Sequence, residues 1–516
     1  MTTAQLTITG RKIPLDEELA SALPAEARDI WREFKPSGES DTTIRLICGK
    51  EGDPSSLDYV VSIEPQGKAA VEYSGFPYPF GNLTGQVLVT PRRVQFVNLT
   101  ASQSGQKVKG QLWARLNWIL DFANGRTEGG PGSGDPKNPP VLEVYALPVN
   151  QKLRDSLPKD VSSLFHHMDD KGKADLVLDR MHVVRSPRAG SSRPAATQPA
   201  SRPAAGGLWA WDVAGEIVLN GVSLDIGLGN KTLNGRFTGG VNSSPKGTGV
   251  DATIALKSMA VGEQELTEVE GRLVKRPESN IVNISNFSGQ VYGGVVSGNV
   301  DIRTGEEITY GVRLDVSRVQ LAKLFHASAA SAPAPAPAPP ATIDKPVEPG
   351  EIKGLLEGRL ELVATSGKPE RTKASGEIRI TQAHMFKLPV MLELLHVVYL
   401  TPPGGGAFND GRMSYQLKGN QLIFTEISLR GNALSVLGSG TVEMDTKKMN
   451  MAFISGPPPQ AGLLRLDEAG PILKGLAREL MEVQVTGTLD RPQMRPVPWT
   501  SLDAILRKLM NPEKEK

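Results

Sequence analysis

The stretch Leu422–Asp445, LIFTEISLRGNALSVLGSGTVEMD, decides the reading of the fold. From Leu434 the even positions run Leu434, Val436, Gly438, Gly440, Val442, Met444, and the odd ones Ser435, Leu437, Ser439, Thr441, Glu443. Apolar groups on one parity and mostly small or polar groups on the other give the period of a half-buried strand. A helix would need apolar residues three and four apart, a spacing this segment does not keep. Gly438 and Gly440 fall on the apolar parity, where glycine marks a bend, a bulge or the close approach of another group. Glycine-punctuated strands of this kind recur through most of the chain. The expected fold is therefore mainly β: an extended, twisted and curled antiparallel sheet, a β-groove, built from repeated meanders, greasy on one face, with a few short helices.

Around that stretch the last third reads as strands over Ile352–Thr381, an apolar helix over Met385–Leu400 and strands again over Gly411–Ile454. A helix over Ala461–Leu480, broken at Gly470-Pro471, a closing strand Glu482–Leu489 and a short amphipathic helix Ser501–Met510 complete it. Upstream, alternation predicts strands at Thr42–Cys48, Tyr59–Pro65, Ala69–Tyr73, Leu83–Thr90, Arg93–Ala101 and Lys107–Leu112. Leu112–Ala123 reads as a strand running into a Gly/Pro-rich loop, Asn124–Pro140. Further meanders appear at Val269–Arg303 and, more weakly, Leu355–Ile380. Two low-complexity stretches punctuate the chain, either as linkers or as long loops within one sheet. The expected organisation is a helix-plus-meander unit (1–145), the start of a second copy (146–186), a Pro/Ala/Ser-rich linker (187–207), a meander unit (208–326), an Ala/Pro-rich linker (327–350), a C-terminal β region (351–498) and a helix with a charged tail (499–516).

The second copy is visible as identities at one constant offset. Within Ile13–Leu46 and Leu147–Leu178 the matches keep one offset of 134 without gaps: Pro14 with Pro148, Leu19 with Leu153, Leu23-Pro24 with Leu157-Pro158, Trp31 with Phe165, Gly38 with Gly172 and Asp41 with Asp175. So many pairs in one register indicate a duplicated unit. Each copy reads as a turn, a short helix, a proline-started helix carrying an aromatic, a glycine stop and a strand.

Charge is nearly balanced, 58 basic against 56 acidic residues, and no basic stripe with interleaved aromatics appears, so nucleic acid is not an expected partner. The single cysteine, Cys48, excludes an internal disulfide and reads as a small residue at a strand end. No positively charged start followed by an apolar run opens the chain, and no apolar run is long enough for an ordinary membrane-spanning helix.

The motifs that carry catalysis do not appear: no G-x-S-x-G elbow, Walker loop, G-x-G-x-x-G after a strand or H-E-x-x-H. His166-His167 with Asp169-Asp170 could be drawn as a metal site, but the first copy carries Arg32-Glu33 at the histidine positions, as a solvated face would. Asp16, Glu17 and Glu18 open a helix, where carboxylates favour the positive end of its dipole. No catalytic residue, metal or cofactor is expected.

The last third also resembles a known family. GLLEGRLELVATSGKPERTKASGEIRITQAHMFKLPVMLELL, LSVLGSGTVEMDTKKMNMAF and VQVTGTLDRPQMRPVP are similar to the C-terminal region of AsmA-like proteins, TamB relatives in the repeating β-groove, bridge-like lipid-transfer group. The resemblance rests on G-x-(L/I)-x-(L/I) at Gly376, the Leu388-Pro389 helix, G-x-G-x-V at Gly438–Val442 and V-x-G-T-L-x-x-P at Val485–Pro492. It covers about 350–498, extends to 208–326 and loosens over the duplicated half. None of these motifs is catalytic. The resemblance implies a non-enzymatic protein of the periplasm and cell envelope of a diderm bacterium, supporting outer-membrane biogenesis. Its partners would be lipid acyl chains, membrane surfaces and other envelope proteins. Family members are usually anchored in the inner membrane by an N-terminal helix, and this sequence departs from that pattern.

The two lines meet in the greasy face. A sheet with one apolar face must hide it against another layer. If the sheet curls into a trough, lipid tails replace that layer at about 0.8 kcal/mol per buried CH₂. The expected wall residues are Leu434, Val436, Val442 and Met444, with Val87, Val89, Val94 and Phe96 upstream. Leu388, Val390, Leu392, Leu395 and Val398 would form a helix buried on the sheet, closing the groove or meeting a membrane. The alternative is a structural envelope protein whose sheet is closed by its own helices and carries no lipid.

Overall fold

In the computed structural model the chain is mainly β, with antiparallel strands and a few short helices, and the sheet does not close into a barrel. The structure describes residues 4–23, 25–48, 57–122, 128–131, 140–157, 167–185, 209–225, 230–244, 247–261, 264–324, 353–383, 408–432, 435–456, 481–489 and 491–497, a few single positions aside. Two compact units emerge: Met1–Gly262 with Arg272–Val282, and Glu263–Gly271 with Asn283–Lys516. Their boundary falls inside the expected 208–326 meander and not at either low-complexity stretch.

The first unit opens with β1 (Ala4–Pro14), α1 (Glu17–Ala22), α2 (Ala25–Phe34) and β2 (Ser37–Cys48). It continues through β3 (Leu57–Glu64), the hairpin β4 (Ala69–Tyr73) and β5 (Phe76–Phe80), then β6 (Thr84–Val89), β7 (Arg93–Ser102) and β8 (Trp113–Asp121). Next come β9 (Glu128–Pro131), β10 (Leu142–Pro148), α3 (Gln151–Ser156), β11 (His167–Met168) and β12 (Lys173–Arg185). Long strands β13 (Trp209–Asp225), β14 (Asn230–Ser244) and β15 (Gly247–Val261) follow. Pairing runs β1–β2–β3–β6–β7–β8, and β9 and β10 then share the slot between β8 and β12. From β12 the sheet continues through β13 and β14 to β15.

Two expectations fail here. Lys107–Leu112 is not a strand but a turn, with Gly105 and Gly110 at positive φ, and its Lys107 ammonium lies over the Trp113 and Tyr145 rings. The alternation K-V-K that mimicked a strand belongs to a solvated loop. Conversely, Glu128–Pro131 inside the expected loop is a strand.

The two copies share local geometry at several equivalent positions, although β11 stands where α2 ends in the first copy. Asp16 caps α1 by accepting from the Glu18 and Leu19 amides, and Asn150, 134 positions on, caps α3 by accepting from Leu153. The β1–β2 pair slips register between Gly10 and Ile13, and the β10–β12 pair between Val144 and Leu147, the equivalent positions. Lys12 and Ala146 sit at those bulges with the same left-handed φ of 53°. Gly38 and Gly172 are also alike: a Cβ on either would lie within 2.4 Å of a neighbouring backbone oxygen, on Lys68 and Gly221 respectively.

Two strands, β16 (Gln264–Lys275) and β17 (Ile281–Val291), span the boundary in sequence. The second unit then runs β18 (Gly294–Arg303), β19 (Thr309–Gln320), β20 (Leu355–Thr365), β21 (Lys368–Thr381) and β22 (Asp410–Lys418). It ends with β23 (Gln421–Arg430), β24 (Ser435–Glu443), β25 (Met449–Gly456), β26 (Met481–Thr488) and β27 (Arg491–Val497). From β18 to β27 each strand pairs antiparallel with the next, an up-and-down meander. The expected closing strand at Glu482 is followed by one more, β27, although it holds Pro492 and Pro496. Proline lacks the N–H that an inner strand needs on both sides, so such a strand belongs at an edge.

Candidate functional site

In the second unit the register aligns apolar residues into rows that cross the strands. One row runs Val300, Val312, Leu362, Ala374, Leu417, Leu422, Val442 and Met449. The next runs Gly298, Leu314, Leu360, Gly376, Tyr415, Phe424, Gly440 and Met451. A third runs Val296, Val316, Gly358, Ile378, Met413, Ile427, Gly438 and Phe453. Three rows over eight strands make a continuous apolar strip. At about 4.8 Å per strand it extends for roughly 30 Å or more, comparable with the hydrocarbon core of a bilayer.

The two faces of the sheet differ as the alternation requires. Along β20, Leu360 and Leu362 are half-buried while Glu357, Arg359 and Glu361 are exposed. On the exposed face Arg359 Nε lies 2.9 Å from Asp315 Oδ1, and that pairing holds the guanidinium pKa above its ordinary value. Glu307 pairs with Lys368 and Arg371, and those hydrogen bonds hold its carboxyl below the usual range.

The glycines of the strip are sites of close approach. A Cβ on Gly376 would sit 2.6 Å from the Tyr415 hydroxyl, and one on Gly438 would sit 2.2 Å from the Phe453 ring. Each glycine thus lies beneath the aromatic of its cross-strand neighbour, an arrangement that recovers packing where no side chain exists. Of the readings open at Gly438, the ring of Phe453 identifies close approach. A bulge lies opposite, between Phe424 and Ile427 of β23. Burial raises the pKa of the Tyr415 phenol.

The expected wall residues of this unit have different fates. Val436 and Val442 are each 2% exposed and belong to one cluster with Ile427, Leu429, Phe453 and Val483. They are packed core at one end of the strip, where only Val442 completes a row shown above. Met444 lies in the turn after β24 and is 53% exposed, so the parity of the strand does not reach it. Half-burial also fails for β24, since Leu437 and Ser439 on the polar parity are as buried as Val436. Leu434 lies outside the described residues, as do Leu388, Val390, Leu392, Leu395 and Val398, the expected helix Ala461–Leu480 and Ser501–Met510. The sequence reading missed Leu314, Leu360 and Ile378; their signal, alternation along β19 to β21, was present.

In the first unit Val87, Val89, Val94 and Phe96 share one face, with Val61 and Ile63 paired beside them. They do not form an open wall. Ala27, Ile30, Trp31 and Phe34, spaced as one face of α2, pack over them, and the Phe34 ring lies 5.3 Å from that of Phe96. A cavity of about 120 Å³ remains between helices and sheet, lined wholly by hydrophobic residues and proline. Farther along this unit, a row Leu99, Leu116, Leu142, Leu178, Gly215, Gly239 and Ala252 crosses β7 to β15. A second, from Ala101 through Ala114, Val144, Leu176, Ile217 and Phe237 to Ile254, runs beside it, with Ile217 39% exposed.

Among the described residues no helix is long and apolar enough to cross a membrane. Compared with protein-family models, curated proteins and solved structures, the chain matches none of them.

Proposed function

We propose that this protein holds lipid by its acyl chains along the apolar strip of the second unit. On this reading it is a non-catalytic carrier or bridge for phospholipid between the inner and outer membranes of a diderm envelope. The observation that carries the proposal is the three-row strip across β18 to β25, half-buried over β19 to β22 and backed by a charged face. Such a strip offers a uniform wall: each buried CH₂ adds about 0.8 kcal/mol, and sliding by one repeat exchanges like contacts for like. The lipid class, the envelope location and the role in outer-membrane biogenesis follow from the resemblance to AsmA-like proteins and are part of the proposal.

A second reading draws on the first unit, where α2 covers Val89, Val94 and Phe96. A sheet closed by its own helices throughout would be a structural envelope protein without lipid. The two separate by site-directed photo-cross-linking in cells. A photoreactive amino acid at Leu314 or Leu360 should capture phospholipid, and one at Arg359 on the opposite face should not. Equal capture from both faces, or none from either, would reject the strip as a lipid path.

A further inference from the structure

We infer that the cavity beneath α2 receives the terminal methylenes of one unbranched hydrocarbon chain, whose remainder lies along the row Leu99, Leu116, Leu142 and Leu178. The inference takes its ligand class from the lipid reading above, but rests on a different place in the chain. The cavity is roofed by Ala27, Ile30 and Phe34 of α2 and floored by Val94 and Phe96 of the sheet. At about 120 Å³ it approaches the roughly 150 Å³ of apolar cavities that stay dry and take up benzene. A polar group placed there would lose its hydration without gaining a hydrogen bond, so the occupant is hydrocarbon and its polar end lies outside.

Leu99 and Leu116 give the direction of entry. Both line the cavity, and both begin the apolar row that continues through Leu142 of β10 and Leu178 of β12. The cavity is thus the blind end of that row. A chain following the row ends under α2, where no polar side chain lines the wall.

The test uses 11-bromoundecanoic acid, whose terminal bromine quenches tryptophan on contact. Trp31 lines the cavity, and Trp118 stacks on Phe96 with ring centroids 6.0 Å apart. The full chain should show saturable quenching. Ala27→Leu, which fills the cavity from the helix, should weaken it at least tenfold. Ala69→Leu fills it from β4 and serves where the first variant does not fold. Saturable quenching that is unchanged in a folded, filled variant overturns the inference. Retained phospholipid without any saturable quenching overturns it too, and leaves the reading of the strip standing. Quenching that the filled variants lose, in protein free of phospholipid, supports the cavity as a hydrocarbon site and counts against the strip.

Discussion

Asp41 accepts a hydrogen bond from the Lys12 amide at 3.0 Å, and that amide belongs to a residue held at positive φ on a β-bulge. At the same places in the second copy, Asp175 accepts from the Ala146 amide at 2.7 Å. The bulge leaves a backbone N–H without a ladder partner, and the aspartate supplies one. Asp175→Ala should cost about 1–3 kcal/mol, because its donor is part-buried, and Asp41→Ala less, because water can replace the carboxylate. Thermal unfolding of the two variants checks this. An equal or reversed order would show that the bulge does not depend on the carboxylate.

Gly438 lies under the Phe453 ring, so Gly438→Ala should destabilise the second unit by about 1–3 kcal/mol through overpacking. Shortening the ring with Phe453→Leu makes room for the added methyl. The double variant should therefore lose less than the sum of the single losses. Strict additivity in a denaturant titration would mean that the two positions do not compete for one space.

Burial places the Tyr415 phenol above its ordinary pKa of about 10. The folded state thus favours the neutral phenol. Its contribution to stability is complete below the unfolded pKa and is lost as pH rises through the folded value. Tyrosinate absorbance should show a late-titrating phenol that disappears in Tyr415→Phe. An acyl chain on the strip would dehydrate the same hydroxyl, so lipid-loaded protein should titrate later than stripped protein. An early titration in both forms would place Tyr415 in water.

Much of this architecture was legible in the residues. The constant offset between Pro14 and Pro148, or Asp41 and Asp175, marked the duplication, and period-two alternation marked most strands. What escaped has physical causes. β1 was missed because its bulge at Gly10 to Ile13 breaks the alternation, and β27 because Pro492 reads as the end of the closing strand. Met444 was placed on the wall by extending parity past the end of β24. Val89, Val94 and Phe96 were rightly placed on one apolar face, but their roof is a tertiary contact from α2, which no pattern within β6 or β7 encodes. Leu360 and Ile378 were read as strand and Leu314 only as part of the 208–326 meander, and all three were left out of the site because register between strands aligns them into rows.

The burial of Val436 and Val442 changes which substitution reports on lipid. An aspartate at Val436 leaves a charge in a packed cluster, and Val436→Asp should cost more than about 3 kcal/mol and unfold part of the second unit. Leu360→Asp sits on a half-buried strand face and should be tolerated, with a loss nearer 1 kcal/mol. Circular dichroism melts of the two variants would separate a core position from a wall position; a reversed order would reject the division drawn here.

The most direct measurement is mass spectrometry of organic extracts from protein purified without detergent, wild type beside Leu360→Asp with Ile378→Asp. The expected result is stoichiometric phospholipid in the wild type and its loss in the folded double variant. Wild-type protein without lipid, or a double variant that keeps its lipid, would contradict the strip as the place where acyl chains are held.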